Sequence, residues 1–191
     1  YLILDEQTTL IDTVDVCYSD VFFHKLDILL EGRPLDYLII NHMEPDHGGS
    51  IGLLRQRYPN MQIVGNKKTF EMLRGFHGIT TGLHEVKSGD ALRIGKHEFS
   101  FLMAPMVHWP EVMFTYEQTN RVLFSADAFG SFGALSGHIL DSHLGDRQAY
   151  LEEMIRYYAC VIGKYGPFVK KALVNMDKQG LDVDFVCPAH G

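Results

Sequence analysis

Apolar positions along this chain follow two rhythms, short unbroken runs and helical spacings, separated by glycine, proline and polar turns. Residues 1–4 and 8–14 are apolar, β-branched runs joined by Asp5-Glu6-Gln7, which predicts a hairpin. Phe22, Leu26, Leu29 and Leu30 recur at helical spacing, with Ser19 or Asp20 as a cap and Gly32 and Pro34 to end the helix. Residues 36–40 read as a buried strand that runs straight into His42-Met43-Glu44-Pro45-Asp46-His47. After Gly48-Gly49-Ser50, Ile51, Leu54 and Tyr58 fall on one face of a second helix.

The alternation then changes character. Gln62-Ile63-Val64 predicts a short strand, and Asn66 caps a helix running through Phe70 and Leu73 to Arg74. Residues 83–116 read as antiparallel, with strands at 92–94, 99–103 and 112–116, and residues 121–125 add another. Helices are expected near 146–163 and 167–179, with Pro167 at a tolerated first-turn position, and a last strand over 184–186. This mixture of hairpins and βα units predicts a mixed α+β and α/β fold. It would be a four-layer αβ/βα sandwich of two mixed sheets with helices outside, one domain over residues 1–191.

Composition narrows the function classes. A chain of 191 residues fits one domain with a substantial core. With 12% aromatics and 18 glycines it is neither disordered nor of low complexity. A net charge of −7 argues against nucleic acid and against an anionic membrane face as partners. No apolar run reaches the ~18 residues of a membrane-spanning helix. Cys17, Cys160 and Cys187 are odd in number and far apart, unlike a disulfide framework, so a reducing cytoplasm is expected. The chain opens on Tyr1 in mid-strand and closes at Gly191, which reads as a domain cut from a longer polypeptide.

The chemistry gathers at strand ends. His42, Glu44, Asp46 and His47 place four donors in six residues after an apolar strand, in a loop closed by Gly48-Gly49. His108, Asp127 and His190 each follow another predicted strand, so seven donors sit at the C-terminal ends of four strands, where α/β proteins collect their sites. Four imidazoles and three carboxylates without a thiolate suit iron or manganese, although the affinity order also admits zinc.

The run His42-x-Glu44-x-Asp46-His47, followed by His108, Asp127 and His190, resembles the ligand order of the metallo-β-lactamase superfamily. The superfamily's usual run has histidine where Glu44 stands, and this exchange is similar to the flavodiiron proteins, or A-type flavoproteins. Residues 1–14 (YLILDEQTTLIDTV), 105–116 (PMVHWPEVMFTY) and 123–130 (LFSADAFG) carry the same resemblance, which spans essentially the whole chain. It implies a metallo-β-lactamase-like fold and a non-haem diiron centre. One iron would take His42, Glu44 and His108 and the other Asp46, His47 and His190, with Asp127 bridging and no catalytic residue beyond these ligands. His47 is the ligand that some family members replace with water.

The activity implied is reduction of O2 to water or of NO to N2O, with electrons from FMN. That FMN would sit on a flavodoxin-like domain following this one, since no phosphate loop for it occurs here. The resemblance further implies a head-to-tail homodimer or a tetramer, and rubredoxin or a flavin reductase as electron donor. The opening strands of the lactamase-like domain are also expected to precede Tyr1.

Two other classes compete: a dinuclear zinc hydrolase of the same superfamily, which Glu44 disfavours, and a non-catalytic metal scaffold or gas sensor. Trp109 reads equally as a wall of the site or as core, and Tyr116 as core. His24, His77, His84 and His97 are outside the motif, while His138 and His143 follow Asp127 closely enough to be tested as cavity residues. Cys187 reads as a small buried residue, Ser125 and Ser131 lack the sequence of a nucleophile elbow, and Tyr150, Met154, Tyr158 and Ile162 read as a core stripe.

Overall fold

A computed structural model describes residues 1–133, 137 and 139–191. Helices α1 (Ser19–Leu30), the single turn α2 (Pro45–Gly48), α3 (Ile51–Arg57) and α4 (Lys67–His77) occupy the first half, and α5 (Arg147–Tyr157) and α6 (Gly166–Gln179) the second. The first sheet grows from the hairpin of β1 (Leu2–Leu4) and β2 (Thr8–Ile11). To it β3 (Tyr37–Ile39), β4 (Gln62–Gly65) and β5 (Leu83–Glu85) are added in parallel, in sequence order. In the second sheet β6 (Ala91–Arg93), β7 (Glu98–Met103), β8 (Met113–Glu117) and β9 (Val122–Phe124) run antiparallel, and β10 (Phe185–Cys187) pairs parallel with β9 at the edge.

Alternation along the strands builds the layers. Leu10, Leu38 and Ile63 point outward to Leu26, Leu30, Ile51, Leu54 and Leu73 of the helices. Their neighbours Ile11, Ile39 and Val64 point inward, against Phe99, Phe101, Met113 and Phe124 of the second sheet. Leu102, Phe114, Tyr116 and Leu123 leave the far side of that sheet to meet Tyr157, Ile162 and Ala172. Three apolar interfaces therefore separate four layers, the expected αβ/βα sandwich. Central strands covered on both faces need continuous apolar runs, which is why β3 is apolar throughout.

Several expectations need correction. β5 belongs to the first sheet, because α4 supplies the crossover that a parallel pair requires, so only part of 83–116 is antiparallel. Neither Ser19 nor Asp20 caps α1; a 3-10 turn over Val16–Tyr18, capped by Asp15, leads into the helix at Ser19. On α1, Leu26 and Leu30 are buried whereas Leu29 is exposed. The stretch 146–163 is not one α-helix: α5 passes into a π turn over Tyr158–Ile162 and a 3-10 turn over Gly163–Tyr165 before α6. The extra residue of the π turn rotates the stripe, so Ile162 is buried while Tyr158 is exposed. Cys187 is only half-buried, packed beside the inter-sheet core on an edge strand.

Candidate metal centre

The C-terminal ends of β3, β7, β9 and β10 open on one side of the sandwich, and each delivers donors there. The loop after β3 is held from below by Asp12, whose Oδ1 accepts from the backbone N–H groups of Asn41 (2.8 Å) and His42 (3.2 Å). Asn41 ties the two sheets together at this end. Its Nδ2 donates to the Phe124 carbonyl (3.3 Å), its Oδ1 accepts from Thr115 Oγ1 (2.7 Å), and its carbonyl accepts from Met113 N–H. Pro45 starts α2 with a fixed φ, and that one turn carries Asp46 and His47 back toward the site.

The seven predicted donors converge as two clusters. His42, Glu44, His108 and Asp127 form one, Asp46, His47 and His190 the other, and within each the donor atoms lie within 4.8 Å of one another. Asp127 joins them through its two oxygens. Oδ2 is 3.0 Å from His108 Nε2 and 3.7 Å from His42 Nε2, while Oδ1 is 2.9 Å from His47 Nε2 and 3.4 Å from His190 Nε2. Glu44 Oε2 lies 3.0 Å from His108 Nε2 and 3.2 Å from His42 Nε2. Asp46 Oδ2 lies 3.2 Å from His190 Nε2, and the Nε2 atoms of His47 and His190 face each other at 3.1 Å.

These spacings fit bound cations. Two donors about 2.1 Å from one ion and at right angles lie about 3 Å apart, the separation seen here repeatedly. Among the described residues, the buried Oδ1 atoms of Asp46 and Asp127 have no hydrogen-bond partner, although His47 stands beside the latter. Two ring nitrogens facing each other beside an unbonded carboxylate oxygen is a poor hydrogen-bond network and a good ligand cage. The donor set, borderline imidazole with hard carboxylate, suits iron or manganese.

Electrostatics points the same way. Burial alone would lower the His42 pKa, but the carboxylates of Glu111, Glu44 and Asp127 push it up to about 10. Hydrogen bonds to Asp127 and Asp46 raise His190 to about 9 against burial, and Asp127 likewise raises His108. Burial opposes the charge on Asp127, yet contacts from His108, His190 and His47 hold its carboxyl well below the usual range. Contacts with His42 and His190 respectively lower Glu44 and Asp46. The site thus concentrates negative charge that demands positive charge beside it.

Three contributors escaped the sequence reading. Glu111 is fully buried; its Oε1 accepts from Met43 N–H (2.9 Å) and lies 2.8 Å from His42 Nδ1, which leaves Nε2 of His42 for the centre. A lone carboxylate beside the apolar start of β8 was the signal for it. Asp12, following the apolar run of β2, carried a similar one. Tyr157 had none: its ring lies 5.6 Å from that of His190, and burial together with Asp127 raises its hydroxyl pKa. Trp109 packs against the core beyond the second sheet and also stands 5.4 Å edge-on to His42, without lining the pocket itself. Tyr116 is core, and Ser125 Oγ donates to the Ala128 carbonyl. Ser131 lines the pocket with its hydroxyl turned to the Phe132 carbonyl. His143 lies exposed in a 3-10 turn, and His138 falls outside the described residues.

The sequence matches the family described as "ODP family beta lactamase" over residues 1–191. The chain belongs to that family. Its whole length is 34% identical to an anaerobic nitric oxide reductase flavorubredoxin of Aliivibrio fischeri, of which it covers 38%. It is 32% identical to a nitric oxide reductase of Moorella thermoacetica, of which it covers 48%. The ODP-family fold superposes over the whole chain on rubredoxin oxygen:oxidoreductase from Desulfovibrio gigas, with a TM-score of 0.93 and 31% identity, covering 47% of that chain. It does so equally on the flavodiiron protein from Giardia intestinalis, with a TM-score of 0.93 and 28% identity, covering 46%. The chain thus spans less than half the length of these relatives. The flavodiiron resemblance carried by Glu44 is borne out, as is the metallo-β-lactamase-like fold, and the oxidoreductase names favour the diiron reading over a zinc hydrolase.

Proposed function

We propose that this ODP-family domain holds a non-haem diiron centre, in a flavodiiron protein that reduces O2 to water, NO to N2O, or both. The observation that carries this reading is Asp127, one oxygen turned to each cluster, with Glu44 standing where a zinc hydrolase would place histidine. His42, Glu44 and His108 would hold one iron, Asp46, His47 and His190 the other, and Asp127 both. Two irons, when bound, supply electrons and open coordination positions for a diatomic gas.

The chain's own residues do the rest. Glu111 fixes the His42 ring so that Nε2 faces inward. Trp109 packs edge-on against the fully buried His42 ring and helps fix its position. Tyr157 borders the pocket and keeps its proton beside Asp127, a position from which its hydroxyl would serve as a hydrogen-bond donor to a small molecule held there. The pocket, about 330 Å³, is bounded by Glu44, Asp46, His108, Asp127, Tyr157 and His190, large enough for a small molecule between the clusters.

FMN on a flavodoxin-like domain elsewhere in the longer protein would deliver electrons. A head-to-tail homodimer or tetramer would bring that FMN to the neighbour's centre, and rubredoxin or a flavin reductase would reload it; a relative is itself named for rubredoxin. The three cysteines are free, in keeping with a reducing cytoplasm, and no described helix is long and apolar enough to cross a membrane. The test is elemental analysis of protein made anaerobically with iron in excess, followed by O2 and NO uptake with an electron donor. Two irons per chain and gas consumption are expected. Two zincs that resist exchange for iron would overturn the reading.

A further inference from the structure

A second cavity, about 220 Å³, lies between the second sheet and helices α5 and α6, and it is half-open to solvent beside Phe129, Tyr158 and Leu173. Among the described residues its lining carries no charge; apart from the rings of Tyr157 and Tyr158 it consists of apolar side chains and one glycine, among them Phe114, Met154, Ile162 and Ala172. Val107 and Ala128 also line it, and each is the chain neighbour of a donor, His108 and Asp127. Tyr157 borders both spaces, so its ring is the partition between them. That ring is closely backed: a Cβ on Gly130 would come within 3.0 Å of its Cε1, and the Phe132 ring is 5.1 Å away. The π turn over Tyr158–Ile162 begins just after this residue and turns Ile162 into the cavity.

An apolar cavity of this kind holds water poorly, because a trapped water needs two to four polar partners. Closed cavities of about 150 Å³ lined by aliphatic and aromatic side chains stay dry and accept benzene or xenon, and the inner part of this half-open space, beside Phe114, Ile162 and Ala172, has the same apolar lining. The space is too small for a flavin or a drug-sized ligand, whose sites run from about 300 Å³ upward. Uncharged, weakly hydrogen-bonding gas molecules are the ligand class that suits it. The metal pocket is the opposite environment, crowded with carboxylates, and suits protons and water.

We propose that this cavity is a binding site for the diatomic substrate, a reservoir from which gas reaches the metal centre past the Tyr157 ring. The proposal rests on the diiron reading above and separates an apolar route for gas from a polar route for protons.

Crystals of the iron-loaded protein pressurised with xenon test occupancy without any mutation. A xenon peak bounded by Phe114, Ile162 and Ala172 is expected, and a cavity without xenon would overturn the proposal. Rapid mixing of the reduced iron protein with O2 or NO tests the role. Ala172→Phe, which fills the cavity, should lower the second-order rate constant with gas several-fold while leaving iron content unchanged. Ala172→Leu should do so to a smaller degree, and it stands in if the phenylalanine variant fails to fold. Unchanged rates in a folded variant that no longer binds xenon would overturn the reservoir. A wild-type chain holding two irons that leaves both gases untouched would instead refute the gas-reductase reading of the centre, and the reservoir with it.

Discussion

His42 Nδ1 lies 2.8 Å from Oε1 of Glu111, and both side chains are completely buried. The same oxygen accepts the Met43 N–H, so one carboxylate fixes both the ring and the backbone of the first donor. A buried carboxylate is costly unless it is paired, and among the described residues the partner of Glu111 that can carry positive charge is the His42 imidazole, whose other nitrogen faces Glu44. Outer partners of ligating histidines typically govern affinity by about 10–100-fold. Glu111→Gln should therefore weaken iron binding by about that range, read by competition with a chelator, while the fold persists. Unchanged affinity would reduce Glu111 to a structural role.

Among the described donors, Asp127 turns one carboxylate oxygen to each cluster. Asp127→Ala should lower iron content from two per chain to one or none, measured by elemental analysis. A variant with two irons and full gas uptake would contradict the bridging assignment.

Glu44 faces His108 and His42 from the solvent side of the first cluster. Replacing a hard carboxylate by a borderline imidazole should shift preference toward zinc. For Glu44→His, the zinc-to-iron ratio after growth with both metals should rise, with the far-ultraviolet circular dichroism unchanged.

Gly49 follows the donor loop in ordinary helical geometry, so its need is for space. A Cβ there would sit 2.6 Å from the Pro45 carbonyl oxygen and 2.9 Å from Val16 N, both backbone atoms that cannot swing aside. Gly49→Ala should destabilise the fold by about 1–3 kcal/mol, the usual range for overpacking, in a denaturant titration.

Asp5 links the first hairpin to the turn before β7. Its carboxylate accepts from His97 N–H (2.9 Å) and from Glu6 N–H, and pairs with His97 Nδ1 at 2.6 Å. Desolvation works against the charge, but these bonds lower its pKa from 3.8 to about 2. A depressed folded pKa contributes stability that is complete above the unfolded value and disappears as pH falls through the folded one. The window is therefore about pH 4 down to about 2. Asp5→Asn should be less stable than wild type at pH 6, and its unfolding midpoint should fall less steeply across that window. Parallel curves would show that the pair contributes nothing to acid sensitivity.

Much of the architecture was legible because its causes are local. Unbroken apolar runs such as Leu38-Ile39-Ile40 mark strands covered on both faces, and that pattern depends only on neighbours in the chain. The donor run after β3 was visible for the same reason, since one loop of six residues carries four of the donors. Glu44 pointed to the family without any tertiary information.

What the sequence by itself determined was the inventory: strands, helices, the seven donors and the strand ends that present them. Tertiary structure decided who meets whom. Glu111 reaches His42 across 69 positions and His190 meets His47 across 143, and no local period encodes such pairings. It placed β5 in the first sheet, because edge pairing depends on where α4 returns the chain. It also put Tyr157 and Ile162, five positions apart, on the buried face and left Tyr158 exposed, because the π turn over Tyr158–Ile162 shifts the helical phase. Side-chain type is written in the chain, but burial and partnership emerge only when distant segments close on one another.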